Sequence, residues 1–169
     1  DSDKVMTGKS FVAPWQGGFG TTLTWKGISL AAQFSWVADR WVFNNDRYLD
    51  EGNGLFETYN QSRRLLYDRW KKPGDVTDIP RYGVTPQMDS RFLEDASFLR
   101  LKNLMLSYNF PQALLEKTNF LTYLRVFVQG QNLLTFTKFS GLDPEGVSNM
   151  YQAQYPSTRQ FTFGLEVSF

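Results

Sequence analysis

Cysteine and histidine are both absent from the 169 residues. Without cysteine there is neither a disulfide framework nor a thiolate metal site. Without histidine, Ser-His-Asp and Cys-His catalysis, His-ligated zinc and the commonest general base near neutral pH are all excluded. A charge excess is lacking too: 18 basic and 17 acidic residues are interleaved to a net +1. Nothing in that balance points to nucleic acid. No run of about 18 apolar residues offers a transmembrane helix, which leaves short, alternating membrane strands open. The N-terminal stretch "DSDKVMTGKS" has no basic-then-apolar leader. An exported protein needs one, so the natural start is expected upstream.

What the chain has in quantity is aromatic rings. Fifteen Phe, eight Tyr and five Trp make up 17% of it, on a background whose mean hydropathy is hydrophilic. Many large rings among polar residues is the composition of strands with one face in lipid and the other in water. An all-β soluble protein with an aromatic core has the same bulk composition.

Alternation predicts five strands, at about 18–25, 28–38, 98–110, 123–136 and 159–169. Phe19, Thr21, Leu23 and Trp25 share one face of the first strand; Ile28, Leu30, Ala32, Phe34 and Trp36 share one face of the second. Lys26-Gly27 supplies the two-residue turn between them. In the third strand Leu104, Leu106, Tyr108 and Phe110 alternate with Asn103, Met105, Ser107 and Asn109, and Pro111 ends the run. In the fourth, Leu124, Val126 and Val128 alternate with Arg125, Phe127 and Gln129. Trp25, Trp36 and Tyr108 lie near strand ends, as girdle aromatics would.

The connections are uneven. Residues 39–97 and 137–158 read as long loops, rich in turn signals such as Asn44-Asn45-Asp46, Gly52-Asn53-Gly54, Pro73-Gly74, Pro80 and Pro86. Within the first, "LFETYNQSRRLLYDRW" predicts a short helix with Tyr59, Leu66 and Trp70 near helical spacing. Short turns on one side and long loops on the other are the pattern of an antiparallel transmembrane β-barrel, whose outer loops are long.

The last strand carries the sharpest pattern. Phe161, Phe163, Leu165, Val167 and Phe169 share one face, against Gln160, Thr162, Gly164, Glu166 and Ser168. The first set suits lipid and the second a watery lumen. A terminal aromatic on such a strand resembles the signal read by the outer-membrane barrel assembly machinery, and predicts a periplasmic C-terminus.

Three stretches together resemble one family: "RFLEDASFLRLKNLMLSYNFP" (Arg91 to Pro111), "LRVFVQGQNLLTFTKFSGLDPE" (Leu124 to Glu145) and "YPSTRQFTFGLEVSF" (Tyr155 to Phe169). With "GGFGTTLTWKGISLAAQFSW" ahead of them, they look like the end of SusC/RagA-type TonB-linked outer-membrane transporters. The resemblance implies the C-terminal strands of a plugged barrel of roughly 22 strands, located in the bacterial outer membrane. It further implies import of oligosaccharides or peptides, a SusD-like lipoprotein lid, and TonB acting through a missing N-terminal region. The remaining partners it implies are the rest of the barrel and plug, outer-membrane lipid and the assembly machinery.

Sequence alone leaves two rivals, a non-energised structural barrel or adhesin and a soluble β-sandwich that binds carbohydrate. No catalytic residue, cofactor or metal site is expected. Glu94-Asp95, Asp143 and Glu145 read as solvated rim acids, and Arg63-Arg64 and Lys71-Lys72 as solvated basic pairs. "GLDPEG" (Gly141 to Gly146) reads as a turn, because it lacks the further acids of a calcium loop. The Gly17-Gly18-Phe19-Gly20 run reads as a bend into the first strand. Trp41, Tyr48, Tyr59, Trp70 and Tyr151 are the candidate outer-loop contacts for ligand or lid.

Overall fold

A computed structural model describes residues 4–53, 55–56, 58–84, 87–146 and 148–169. The turn signals at Gly54 and Pro86 lie outside the described residues. The chain divides into two compact units, one built from Trp15–Ala38, Phe98–Thr137 and Ser157–Phe169, the other from the segments between and before them.

The first unit is a single antiparallel sheet. Its strands are β1 (Trp15–Trp25), β2 (Ile28–Ala38), β5 (Phe98–Asn109), β6 (Tyr123–Thr137) and β8 (Gln160–Ser168), in spatial order β1-β2-β5-β6-β8. β1 starts at Trp15 rather than Gly18. Its glycines are strand residues paired with β2 rather than a bend. A Cβ on Gly17 would sit 3.1 Å from the Trp36 indole nitrogen, so the glycine makes room for that ring. Lys26 and Gly27 both take positive φ, 47° and 87°, the geometry that a two-residue hairpin turn demands. The link from β5 to β6 holds one short α-helix, α3 (Gln112–Leu115), followed by a 3-10 turn over Glu116–Thr118.

Register carries one apolar stripe from strand to strand. Leu23 faces Leu30, Leu30 faces Leu106, Leu106 faces Val128, and Val128 faces Phe163. Phe19 stacks on Phe34 with centroids 5.0 Å apart. Trp25 and Tyr108 lie toward the short-turn end of this face, Trp15 and Phe136 toward the other.

An irregularity keeps the stripe continuous. Opposite Gln33–Phe34, β5 places Leu101 and Asn103 with Lys102 left over. On β6 the matching break falls between Gln131 and Leu134, where Asn132 adopts φ 52°. These bulges let Leu101 and Leu104 share a face although they are three apart, which uniform alternation forbids.

The opposite face is polar. Arg125 and Glu166 are cross-strand partners joined at 3.2 Å, and Arg125 also donates to Ser107 Oγ at 3.3 Å. Thr24 and Ser29 hydroxyls meet at 3.1 Å. Phe127, on this side of β6, lies over Gly164, where any Cβ would collide with it. Gly164→Val is therefore expected to destabilise the sheet by about 1–3 kcal/mol through overpacking. Urea denaturation of the refolded full-length protein checks this, and Gly164→Val with Phe127→Ala should recover most of the loss.

The second unit holds β3 (Trp41–Asn44), β4 (Leu93–Asp95) and β7 (Met150–Tyr151) in the order β4-β3-β7, with β7 parallel to β3. It also contains α1 (Asn45–Asp50) and α2 (Arg63–Tyr67). So 39–97 is not free of strand, and two-residue β7 lies in 137–158. These strands are too short for a period to register. The helix expected within 55–70 is confined to α2, and its inward residue is buried Leu65, with Leu66 turned outward. A small core of Val42, Ala96, Phe139 and Tyr151 anchors the unit.

Candidate functional site

α1 begins at Asn44, whose side chain accepts the Arg47 N–H at 3.0 Å. The same amide donates to Ser140 Oγ at 3.0 Å and Glu94 Oε1 at 3.3 Å. One cap thus ties α1 to β4 and to the 138–156 segment. Arg47, Asp50 and Glu51 follow at a spacing that sets them on one side of the short helix. α2 begins at Ser62, whose hydroxyl accepts the Arg64 N–H.

These caps aim two arginines at one carboxylate. Glu51, 3% exposed at its side chain, receives Arg47 Nε at 3.1 Å and Arg64 Nη1 at 2.6 Å. Asp78 receives the other ends of both, at 2.8 and 2.7 Å. Arg47 reaches Glu94 as well, at 3.2 Å, and Glu94 accepts the Ser140 N–H and hydroxyl. Five stretches of the sequence, at residues 47–51, 64, 78, 94 and 140, are joined by this network, which borders an open cleft of about 750 Å³ lined also by Asp46, Asp50 and Tyr151.

Electrostatics within the network are uneven. Burial alone would raise Asp78, but its hydrogen bond and charge pairing with Arg64, and the charge of Arg47, hold its pKa below the ordinary carboxylate value. Asp50 is raised, by burial first and then by the nearby Asp46 and Glu51. The two acids act on stability in opposite directions. Asp50 opposes folding at neutral pH, an effect relieved as pH falls through its raised pKa. Asp78 stabilises above the unfolded value of about 3.9, and that contribution is lost as pH falls through its depressed folded pKa. Proteolytic resistance of the loops should hold or rise slightly on mild acidification and collapse only below about pH 3.9. A monotonic loss beginning near neutral pH would contradict this balance.

The candidate contact residues are placed very differently from one another. Tyr151 is buried, its ring 5.0 Å from Phe139 and its hydroxyl accepting the Leu142 N–H at 3.0 Å. Tyr48 packs edge-on to buried Phe92 at 5.3 Å and also meets Phe43 and Phe56. Trp41 donates to Asp39 at 2.9 Å and lies under the Lys9 ammonium at 3.7 Å. Trp70 is half-buried, its backbone N–H bonded to Ile79. Tyr59 is the most open of the five, touching only Phe56 among described rings. The structure does not gather them into one surface.

The apolar residues of the last strand are all exposed: Phe161, Phe163, Leu165, Val167 and, just past β8, Phe169, which stacks on Phe120. Across the sheet this makes an apolar face that no described residue of its own unit covers. No helix among the described residues is long and apolar enough to cross a membrane.

No family model matches the chain. The TonB-dependent receptor P3 of Formosa agariphila is 39% identical over 117 residues, covering 62% of this chain and 12% of that protein. The TonB-dependent receptor SusC of Bacteroides thetaiotaomicron is 35% identical over 87 residues, 52% of this chain and 9% of that protein. The solved structure of the RagAB peptide importer in its open-open state matches 95% of this chain and 18% of that one, at 42% identity and a TM-score of 0.88. The chain is a SusC/RagA-like segment of the TonB-dependent transporter family. It spans about an eighth or less of the length of these two curated relatives.

Two features of this transporter segment escaped sequence reasoning. Glu94 is not a solvated acid: its side chain is 13% exposed, and Ser140, Asn44 and Arg47 occupy its oxygens. Asp143 is buried and accepts the Glu145 N–H at 3.0 Å, and Asp95 accepts from Ser97. A buried carboxylate is tolerable once donors fill its lone pairs, and no spacing rule reveals donors 46 residues away. Arg64 of the basic pair is likewise an internal clamp rather than a solvated charge. The capping pattern before α1 and α2 was the available signal, since it sets the direction of Arg47 and Arg64.

Proposed function

We propose that the chain is the C-terminal barrel segment of a TonB-dependent importer in the bacterial outer membrane. Its five-stranded sheet is a part of the wall of a larger plugged barrel of roughly 22 strands. The second unit then belongs to the outer loops, where a SusD-like lipoprotein closes over captured cargo. TonB acts on the upstream region, and cargo passes when the plug is displaced. This segment supplies wall, loops and assembly signal, and performs no covalent chemistry.

The observation that carries this reading is the 42% identity and 0.88 TM-score over 95% of the chain to a peptide importer. The exposed apolar face supports it physically. Large rings such as Phe163, 79% exposed, leave a contiguous patch that a soluble protein rarely carries, whereas lipid covers it on a barrel. That argues against the soluble sandwich. Cargo is oligosaccharide or peptide, and the likeness to RagAB favours peptide. In this orientation β8 runs inward with Phe161, Phe163, Leu165, Val167 and Phe169 as the assembly signal. Tyr59 is then the most accessible loop ring for cargo or lid.

The test is uptake by cells carrying the full-length protein with its lipoprotein, measured with labelled peptides and labelled oligosaccharides. Uptake of one class should require TonB. Uptake that continues in a TonB-deficient strain would favour the non-energised barrel instead.

A further inference from the structure

The apolar face of the sheet is not level. In register across β5, β6 and β8, Leu106, Val128 and Phe163 form one row, and Tyr108, Val126 and Leu165 the next. Valine is smaller than the leucines and rings on either side, so β6 is a floor between two ridges. The result is an open groove of about 470 Å³, lined by Ile28, Leu106, Tyr108, Val126, Val128 and Phe163. Toward the long loops the floor rises. The next β6 residue on this face is buried Gly130, and the Leu133 side chain fills the space above it, 2.8 Å from where a Cβ would stand.

Toward the short turns the groove ends on polar groups. Tyr108 is fixed edge-on to Phe110 at 4.9 Å, and its hydroxyl makes no hydrogen bond among the described residues. The Lys26-Gly27 turn packs beside it, since a Cβ on Gly27 would lie 3.3 Å from the Tyr108 ring. The exposed Lys26 ammonium lies 4.9 Å from the Trp25 ring and forms no ion pair among the described residues. The two short connections, residues 26–27 and 110–122, hold two lysines against one acid, Glu116. An uncompensated cation beside an amphipathic ring, at one end of an apolar groove, complements a molecule with an anionic head and an apolar tail.

We propose that the groove is a binding site for one glycerophospholipid, with an acyl chain along β6 and the phosphate at Lys26 and Tyr108. The inference rests on the reading of this sheet as barrel wall, and it assigns the lipid to the periplasmic leaflet. A level wall touches a lipid chain on one side only. A chain between the β5 and β8 ridges touches protein on three sides, and dispersion grows with every such contact. An ammonium at a membrane surface attracts phosphate, and Trp25 keeps this one at the level where headgroups sit. The same face of a second copy offers no acid to meet Lys26, since none lies among its strand residues.

The experiment adds dioleoylphosphatidylglycerol to the delipidated full-length transporter in detergent and follows bound lipid by native mass spectrometry. Wild type should bind it saturably, more tightly at low salt, and more tightly than dioleoylglycerol, which has the same chains and no phosphate. Val126→Phe/Val128→Phe fills the groove and should weaken this site at least about tenfold. Val126→Leu/Val128→Leu, a milder filling, should weaken it less, and serves if the larger pair fails to assemble. Lys26→Asn removes the charge yet suits the positive φ of 47° at this turn. It should abolish the preference for phospholipid over dioleoylglycerol. Unchanged affinity in both groove variants, or equal binding of the two lipids by wild type, overturns the site and leaves the importer reading intact. A wild type that pairs with itself in detergent, and separates when the groove is filled, overturns it in favour of a second copy. A wild type that does not assemble in outer membranes overturns both readings.

Discussion

Phe163→Arg is expected to cost about 2–4 kcal/mol of barrel stability, while Thr162→Arg costs little. The two residues are neighbours in β8 and both are exposed, so simple accessibility does not separate them. They differ in face. Phe163 belongs to the apolar stripe opposite Val128, and Thr162 to the polar side opposite Gln129. Near the middle of a membrane strand a guanidinium on the lipid side must shed water or distort the bilayer, whereas one in a lumen stays hydrated. Assembly in outer membranes, read as heat-modifiable mobility on gels, and urea midpoints in lipid vesicles should both separate the variants. Equal loss in the two would mean that β8 does not divide lipid from water.

The second large effect lies in the charge network. Removing the Glu51 carboxylate leaves Arg47 and Arg64 with one acid fewer between them, in a place where Glu51 is almost wholly shielded. Breaking a buried pair from one side costs about 3–5 kcal/mol. Here the partial exposure of Arg64 moves Glu51→Ala toward the lower end, about 3 kcal/mol. That loss should be local, freeing α2 and the following turn while the sheet stays folded. Trypsin would then cut at the basic residues between Arg63 and Lys72, with barrel mobility on gels unchanged. Replacing Arg64 by Met together with Glu51→Ala should cost less than the sum of the single changes, because each has already removed the other's partner. Resistance to trypsin equal to wild type would show that Glu51 is not the joint of the loops.

The two units differ in how far sequence revealed them, and the reason is periodicity. A strand of nine to fifteen residues repeats its alternation often enough to be read, as β8 and β6 do. β3, β4 and β7, at four, three and two residues, offer no such repetition. Their positions depend on partners such as Ser140 for Glu94 and Pro144 for Arg40, whose guanidinium also donates to the Gly146 carbonyl. Such pairings are fixed by three-dimensional closure and leave no local trace. The apolar strand residues were legible as one face. The candidate loop rings were legible only as aromatic, and burial divided them between core, as with Tyr151, and surface, as with Tyr59.

The bulge at Lys102 has a genetic consequence. Before it, odd-numbered residues of β5 (Leu99, Leu101) share the apolar face; after it, even-numbered ones do (Leu104, Leu106, Tyr108). Deleting Lys102 would leave Leu99, Leu101, Leu104, Leu106 and Tyr108 on one face by plain alternation, with Arg100 still on the other. A one-residue loss or gain elsewhere in β5 acts like a frameshift in side-chain orientation, because it carries every side chain on one side of the change to the opposite face. The bulge is thus a site where a codon can be lost without mixing the two faces, whereas losses elsewhere in this strand should be tolerated only when paired with a gain.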